Sequence, residues 1–334
     1  MSGATLKPNL RHALLLGLKV AISLGLLAFL VGRINLDQLG RALEHANPRW
    51  LALAGAVMLT SNLLGAYQWS RLLRAVEIRI PFWKVCAYYH VGLFFNNFLP
   101  ANVGGDFARV LDASRHADSR AAALSTVLLD RVIGTVALAG LALVTTLPAI
   151  DRFHFVFAYL ALVGFFVLSV ALLWAVFHPA WLELAERVLA RVGLGRLKPH
   201  LDDLSRRLTG FRGQRRLFLE LLSIALVVQF LRIFVHALTA RSLGLHIALT
   251  YFLLFVPLLA VIVSLPISLN GIGVREGAGI VLFGLIGVSR AQSFTLQFTT
   301  YLVAVAVSLL GGLIVLVRIP HRRATARERG RSNE

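Results

Sequence analysis

Cysteine occurs once, at Cys86, which excludes an internal disulfide and a cysteine-based metal cluster. Acid is scarce: 16 Asp and Glu stand against 34 Lys and Arg, a formal net charge of +18. Charge of either sign is thin, at 15% of 334 residues against 57% hydrophobic. The short runs of alternating polarity that a membrane β-barrel needs are missing. So are a phosphate-binding Walker loop, a dinucleotide fingerprint and a Ser-His-Asp set. His90 and His236 lack metal-ligand spacing. No metal, cofactor or catalytic residue is expected, and the chain reads as a non-enzyme.

What is present is hydrophobic length. Mean hydropathy is +0.75, and nine apolar stretches near spanning length occupy 13–31, 50–69, 82–99, 121–147, 153–177, 217–238, 248–265, 278–288 (short) and 294–317. Trp50 and Trp69 sit at span ends, as interfacial aromatics do. The expected fold is all-α, a polytopic membrane helix bundle. Lys7, Arg11 and His12 precede the first stretch without a small-residue cleavage site before Arg33, so an uncleaved first helix is expected.

The cations fall between and after the apolar runs, so they are read by the positive-inside rule rather than as a nucleic-acid surface. Residues 178–216 form a basic, cytoplasmic linker with amphipathic helices expected at 181–192 and 201–208, and 319–334 form a basic tail expected to be disordered. Nine full crossings would put linker and tail on the wrong side. One re-entrant element at 82–99 repairs both, leaving about eight transmembrane helices with both termini cytoplasmic.

The chain also repeats itself. Leu99-Pro100-Ala101-Asn102-Val103-Gly104-Gly105-Asp106-Phe107-Ala108-Arg109 returns as Leu265-Pro266-Ile267-Ser268-Leu269-Asn270-Gly271-Ile272-Gly273-Val274-Arg275, a shift of 166 residues. Proline breaks a helix; glycine permits unusual dihedrals and close backbone approach; arginine grips phosphate bidentately. Duplicated at the ends of apolar runs, these features predict a two-fold internal pseudo-repeat with halves at about 10–177 and 217–318, and broken helices lining a polar cavity.

Substrate-binding candidates are Arg109, Arg275, Arg131, Asp106, Glu276, Asn97, Asn102, Ser268 and Asn270. Pro100, Gly104, Gly105, Pro266, Gly271 and Gly273 supply hinges, and amides released there would face an anion. The bland alternative is a loop with a positive-inside arginine. Arg275 and Glu276, adjacent on a helix, do not face each other, so Asp106 and Arg109 are candidate partners for them. Asp130 and Arg131 lie well inside 121–147, where an ion faces a cavity or a counter-ion. Gln229, Arg232 and His236 share one helix face, as cavity lining or as interhelical hydrogen bonding.

At these motifs the sequence resembles the lysylphosphatidylglycerol synthase transmembrane-region family, whose members are often labelled flippase-like. The likeness rests on Asn97-Phe98-Leu99-Pro100, Gly104-Gly105-Asp106, Arg109, Asp130-Arg131, Leu265-Pro266-Ile267-Ser268 and Gly271-Ile272-Gly273-Val274-Arg275-Glu276, across about 10–318. It implies a bundle in the bacterial inner membrane that translocates a lipid. In bifunctional relatives an aminoacyl-transfer domain follows, and here the sequence stops at Glu334, so that activity is not expected.

The reading is a lipid flippase or transporter for an anionic or glycan-linked head group, with a membrane phospholipid or lipid-linked substrate as partner. One rival is a non-catalytic scaffold docking a lipid- or glycan-synthesis enzyme on the basic linker. Another is an integral-membrane lipid transferase.

Overall fold

A computed structural model describes Glu44 and residues 46–97, 103–147, 156–178, 198–264 and 274–331. Ten α-helices carry these residues: α1 Pro48–Ala75, α2 Phe82–Asn96, α3 Val103–Ala113, α4 Arg120–Thr146, α5 Val156–Val176, α6 Lys198–Thr209, α7 Arg215–Ser242, α8 Leu249–Ser264, α9 Val274–Gly284 and α10 Arg290–Arg331. No strand occurs among them. The chain is an all-α, multi-pass membrane protein. Four of these helices are long and apolar enough to cross a bilayer: α1, α4, α7 and the Arg290–Val317 part of α10; α5 and α8 contribute shorter apolar stretches. The first apolar run, 13–31, lies outside the described residues.

Local chemistry sets the helix ends. The Asn47 side chain accepts from the Arg49 amide at 3.0 Å, and Pro48 occupies the first turn of α1. Ser119 caps α4 by accepting from the Ala122 amide at 3.2 Å. α9 has 11 residues, about 16 Å at 1.5 Å per residue, so the short run 278–288 does not cross a bilayer of about 30 Å alone.

Two of the sequence expectations need correcting. The tail is helical to Arg331 rather than disordered, since Ala, Arg and Glu past Pro320 are strong helix formers. Gly104 and Gly105 lie within α3, with no positive φ, so they do not serve to break the helix.

The repeat extends well beyond the motif. Pro48 and Arg215, Phe82 and Leu249, Val103 and Val274, Arg120 and Arg290 open corresponding helices 167 to 171 residues apart. Packing follows the same correspondence. α2 lies on α10 as α8 lies on α4, and α4 meets α7 as α10 meets α1. Corresponding helices α1 and α7 form the most extensive contact, and they run antiparallel. The Asn47 amide donates to the Ser242 carbonyl at one end, Ser61 reaches the Val228 carbonyl midway, and Arg71 pairs with Glu220 at the other end. Equivalent helices packed antiparallel make the two halves an inverted repeat.

The apolar interior has a cluster for each neighbourhood. One gathers Phe252, Phe255 and Phe283 with Ala142 and Leu296; another gathers Trp69, Tyr88 and Tyr89 with Ala113 and Val127. α6, the second of the expected amphipathic helices, turns Leu204 and Leu208 against Leu129 and Ile133 of α4.

Candidate functional site: a buried charge cluster at the first motif

α3 carries Asp106 and Arg109 on one face, at the i, i+3 spacing. It is pressed against α2 because Gly92 and Gly105 have no side chains. A Cβ on Gly105 would collide with the Gly92 carbonyl and the Asn96 side chain; a Cβ on Gly92 would meet the Arg109 stem. The Gly105 amide donates to Asn96 Oδ1 at 2.7 Å. This amide is thus satisfied within the protein and does not face an anion.

Arg109 is 5% exposed. Its Nη1 donates to Asp130 Oδ2 and its Nη2 to Asp106 Oδ1, each at 2.7 Å. Gln68 of α1 donates to the other Asp130 oxygen at 2.9 Å. Arg131 Nε donates to the other Asp106 oxygen at 2.8 Å. The Arg109 guanidinium carbon stands 5.2 Å from the Trp69 ring centre and 5.3 Å from that of Tyr89, close enough for cation–π attraction. Trp69 is itself held by a hydrogen bond from Nε1 to Thr126 Oγ1 at 3.1 Å. Two arginines and two aspartates from α3 and α4 thus form a formally neutral cluster.

The cluster is graded in exposure. The side chains of Arg109 and Asp130 are 6% and 10% exposed, against 25% for Asp106 and 42% for Arg131. A polar head group approaching from outside therefore meets Arg131 and Asp106. Arg109, expected to grip phosphate, instead spends its nitrogens on two carboxylates and fixes their positions. Those same bonds correct the pairing expected of Asp106 and Arg109 with Arg275 and Glu276: Asp106 accepts from Arg109 and Arg131.

The second motif places Arg275 and Glu276 on α9. The Arg275 guanidinium lies 5.0 Å from the Tyr301 ring centre on α10, and His236 of α7 lies within electrostatic reach of it. Glu276 is buried. Gln229 donates to the Gly134 carbonyl of α4 at 3.3 Å, an interhelical bond. His236 Nδ1 bonds the Arg232 carbonyl on its own helix at 3.0 Å. The Gln229, Arg232 and His236 face is thus split between helix packing and the second motif. Asn97 donates to Ser308 Oγ of α10 at 2.6 Å, an interhelical role rather than one at the charge cluster. Asn102, Ser268, Asn270, Pro100, Pro266, Gly271 and Gly273 lie outside the described residues. Among the described residues no three His, Cys, Asp or Glu side chains converge as metal ligands would.

Sequence reading missed Gln68, Trp69, Tyr89 and Asn96. Nothing in their spacing marks them, because their roles arise from helices brought together in space. It also missed Ser293, Gln297 and Tyr301, which a helical wheel over the last apolar run does place on one face.

The sequence pattern of the lysylphosphatidylglycerol synthase TM region matches residues 16–312. A protein described as a UPF0104 membrane protein, from Pyrococcus horikoshii, is 23% identical over 322 residues, covering 90% of this chain and 96% of the relative. No solved structure gives a significant match.

Proposed function

The chain belongs to the lysylphosphatidylglycerol synthase TM region family, and from that premise we propose that it is a lipid transporter of the bacterial inner membrane, moving a polar head group between leaflets without chemical change. The observation that carries this reading is the antiparallel pairing of corresponding helices α1 and α7. Inverted halves built around broken helices are the architecture of alternating access, in which one half rocks against the other.

In this reading α2 with α3, and α8 with α9, are equivalent broken elements that enter from opposite membrane faces. α10 then returns the basic residues after 317 to the side of the linker 178–216 and the N terminus, the cytoplasm by the positive-inside rule. Arg131 and Asp106 contact the head group, and Arg109 is a positioning residue. The arginine takes a phosphate oxygen while the carboxylate accepts from a hydroxyl or ammonium. Acyl chains stay in lipid throughout.

Purified protein in liposomes should move a fluorescent phosphatidylglycerol between leaflets faster than protein-free vesicles do. Arg131→Ala and Asp106→Asn should each slow that movement about tenfold or more, the loss of one charge-assisted contact. Wild-type protein that moves neither this lipid nor a glycan-linked one would end the reading.

A further inference from the structure

The α3–α4 charge cluster is satisfied by its own members. The corresponding seam of the other half, between α9 and α10, is not. Ser293, Gln297 and Tyr301 stand one turn apart on a single face of α10, and all three are buried. Neither the amide nitrogen nor the amide oxygen of Gln297 has a hydrogen-bond partner, and the Ser293 hydroxyl has none. Native proteins rarely leave such groups unsatisfied, because desolvation without a replacement bond is costly.

This seam is built around a missing side chain. A Cβ on Gly279 of α9 would run into Cγ and Cδ of Gln297, so the glycine gives the amide its room. Arg275, one turn earlier on α9, stands over Tyr301. The shift of 166 that carries Arg109 to Arg275 also carries Arg131 to Gln297 and Asp130 to Leu296. Thus a neutral amide and a leucine occupy the places of the charged pair.

Resting on the lipid-transport reading, we propose that the α9–α10 seam is a second binding site, for a hydroxyl-bearing part of the transported head group, such as glycerol or a sugar. The donor and acceptor inventory selects that chemistry. Gln297 offers two donors and an acceptor, and Ser293 offers one donor and an acceptor. A phosphate diester only accepts and a quaternary ammonium does neither, whereas a polyol both donates and accepts. Gln297 is fully enclosed in this conformation, so the group enters when α9 parts from α10, as alternating access requires.

The test uses the full chain in phosphatidylcholine nanodiscs, whose head groups carry no hydroxyl. Three soluble probes are titrated: dihexanoyl-phosphatidylglycerol, hexyl glucoside and dihexanoyl-phosphatidylmethanol, the last with the charge of the first and no hydroxyl. Gln297→Leu and Ser293→Ala should weaken at least one hydroxylated probe about tenfold and leave phosphatidylmethanol unchanged. The probe that responds more strongly distinguishes a glycerol from a sugar source. Gly279→Ala, which displaces the amide and keeps it, should give the same loss and serves if Gln297→Leu does not fold. Unchanged affinities in Gln297→Leu and Gly279→Ala would overturn the site, and unchanged binding with raised thermal stability would assign the seam to an internal water. Equal weakening of all three probes would also overturn it. Lipid movement that persists with no Gln297 effect removes the site and leaves the transport reading. Selective probe binding without lipid movement does the reverse.

Discussion

Ser61 donates its hydroxyl to the carbonyl of Val228 at 3.3 Å, and the two residues are 167 positions apart at the centres of α1 and α7. That separation equals the shift between the helices themselves, so Ser61 and Val228 occupy the same place in each half. A contact between equivalent positions marks a pseudo-two-fold axis. Because the helices run antiparallel, that axis lies across them, in the plane of the membrane. Everything else in the packing follows: each half lends its broken element to the last helix of the other.

Antiparallel pairing is checked by cross-linking in a Cys86→Ser background, which leaves no native thiol. Asn47→Cys with Ser242→Cys should form a disulfide under mild oxidation, because the Asn47 amide and the Ser242 carbonyl are 2.8 Å apart. Asn47→Cys with Gln214→Cys, the pair a parallel arrangement would bring together, should give none. The reverse pattern on a gel would remove the inverted repeat and the transport mechanism built on it.

Glycine at the α2–α3 crossing is a packing requirement. Gly105→Ala should lower stability by about 1–3 kcal/mol, the usual cost of overpacking, because the new methyl meets the Gly92 carbonyl and the Asn96 side chain. Gly134→Ala is the control. A Cβ there meets nothing within 4 Å, so the better helix former should add up to about 1 kcal/mol. Thermal unfolding of both variants in detergent measures the contrast, and equal melting shifts would show that the crossing tolerates a side chain.

Two arginines of one cluster should separate by role. Arg109→Ala strands Asp130, whose side chain is 10% exposed, and breaking a buried pair in this way costs about 3–5 kcal/mol. Arg109→Lys should not restore the loss, since one ammonium cannot span Asp106 and Asp130 as the guanidinium fork does. Arg131, with a side chain 42% exposed, should change stability by under about 1 kcal/mol on truncation while lipid movement falls. Unfolding midpoints and leaflet-exchange rates on the same preparations report the two effects. A stable Arg109→Ala protein would contradict the positioning role.

The sequence disclosed the helices and the repeat because both are local or one-dimensional signals. Apolar length marks a span wherever the chain later goes, and Pro100…Arg109 against Pro266…Arg275 needs only a fixed shift to be seen. It disclosed Asp106, Arg109, Asp130 and Arg131 as members of a site because ions are rare in apolar runs. It did not disclose their pairing. That depends on α3 crossing α2 at Gly92 and Gly105 and on Gln68 arriving from α1. Read alone, Arg109 was an anion trap; in the fold its charge is already matched by two aspartates. Inverted topology was hidden for a similar reason, since the shift of 166 residues is the same whether the halves run parallel or opposed.

Asp203 links the basic linker helix to the bundle and gives a pH dependence whose sign can be worked out. It accepts a hydrogen bond from Ser119, the residue that caps α4, and pairs with Arg207 at 3.4 Å on its own helix. The Ser119 bond is the largest influence, and with Arg207 and Arg206 it holds the carboxyl below the ordinary aspartate range despite partial burial. A carboxyl lowered in the folded state adds stability above its unfolded pKa, near 3.9, and loses that stability as pH falls through the folded value. Docking of α6 on α4 should therefore be unchanged from neutral pH to about pH 5 and weaken as pH falls below about 4, by under about 1 kcal/mol for a pair so close to solvent. Asp203→Asn should weaken docking at neutral pH and abolish that acid-side loss. Hydrogen exchange at the Leu204 and Leu208 amides, followed against pH in wild type and variant, measures both. An acid transition that survives unchanged in Asp203→Asn would place the titrating group elsewhere.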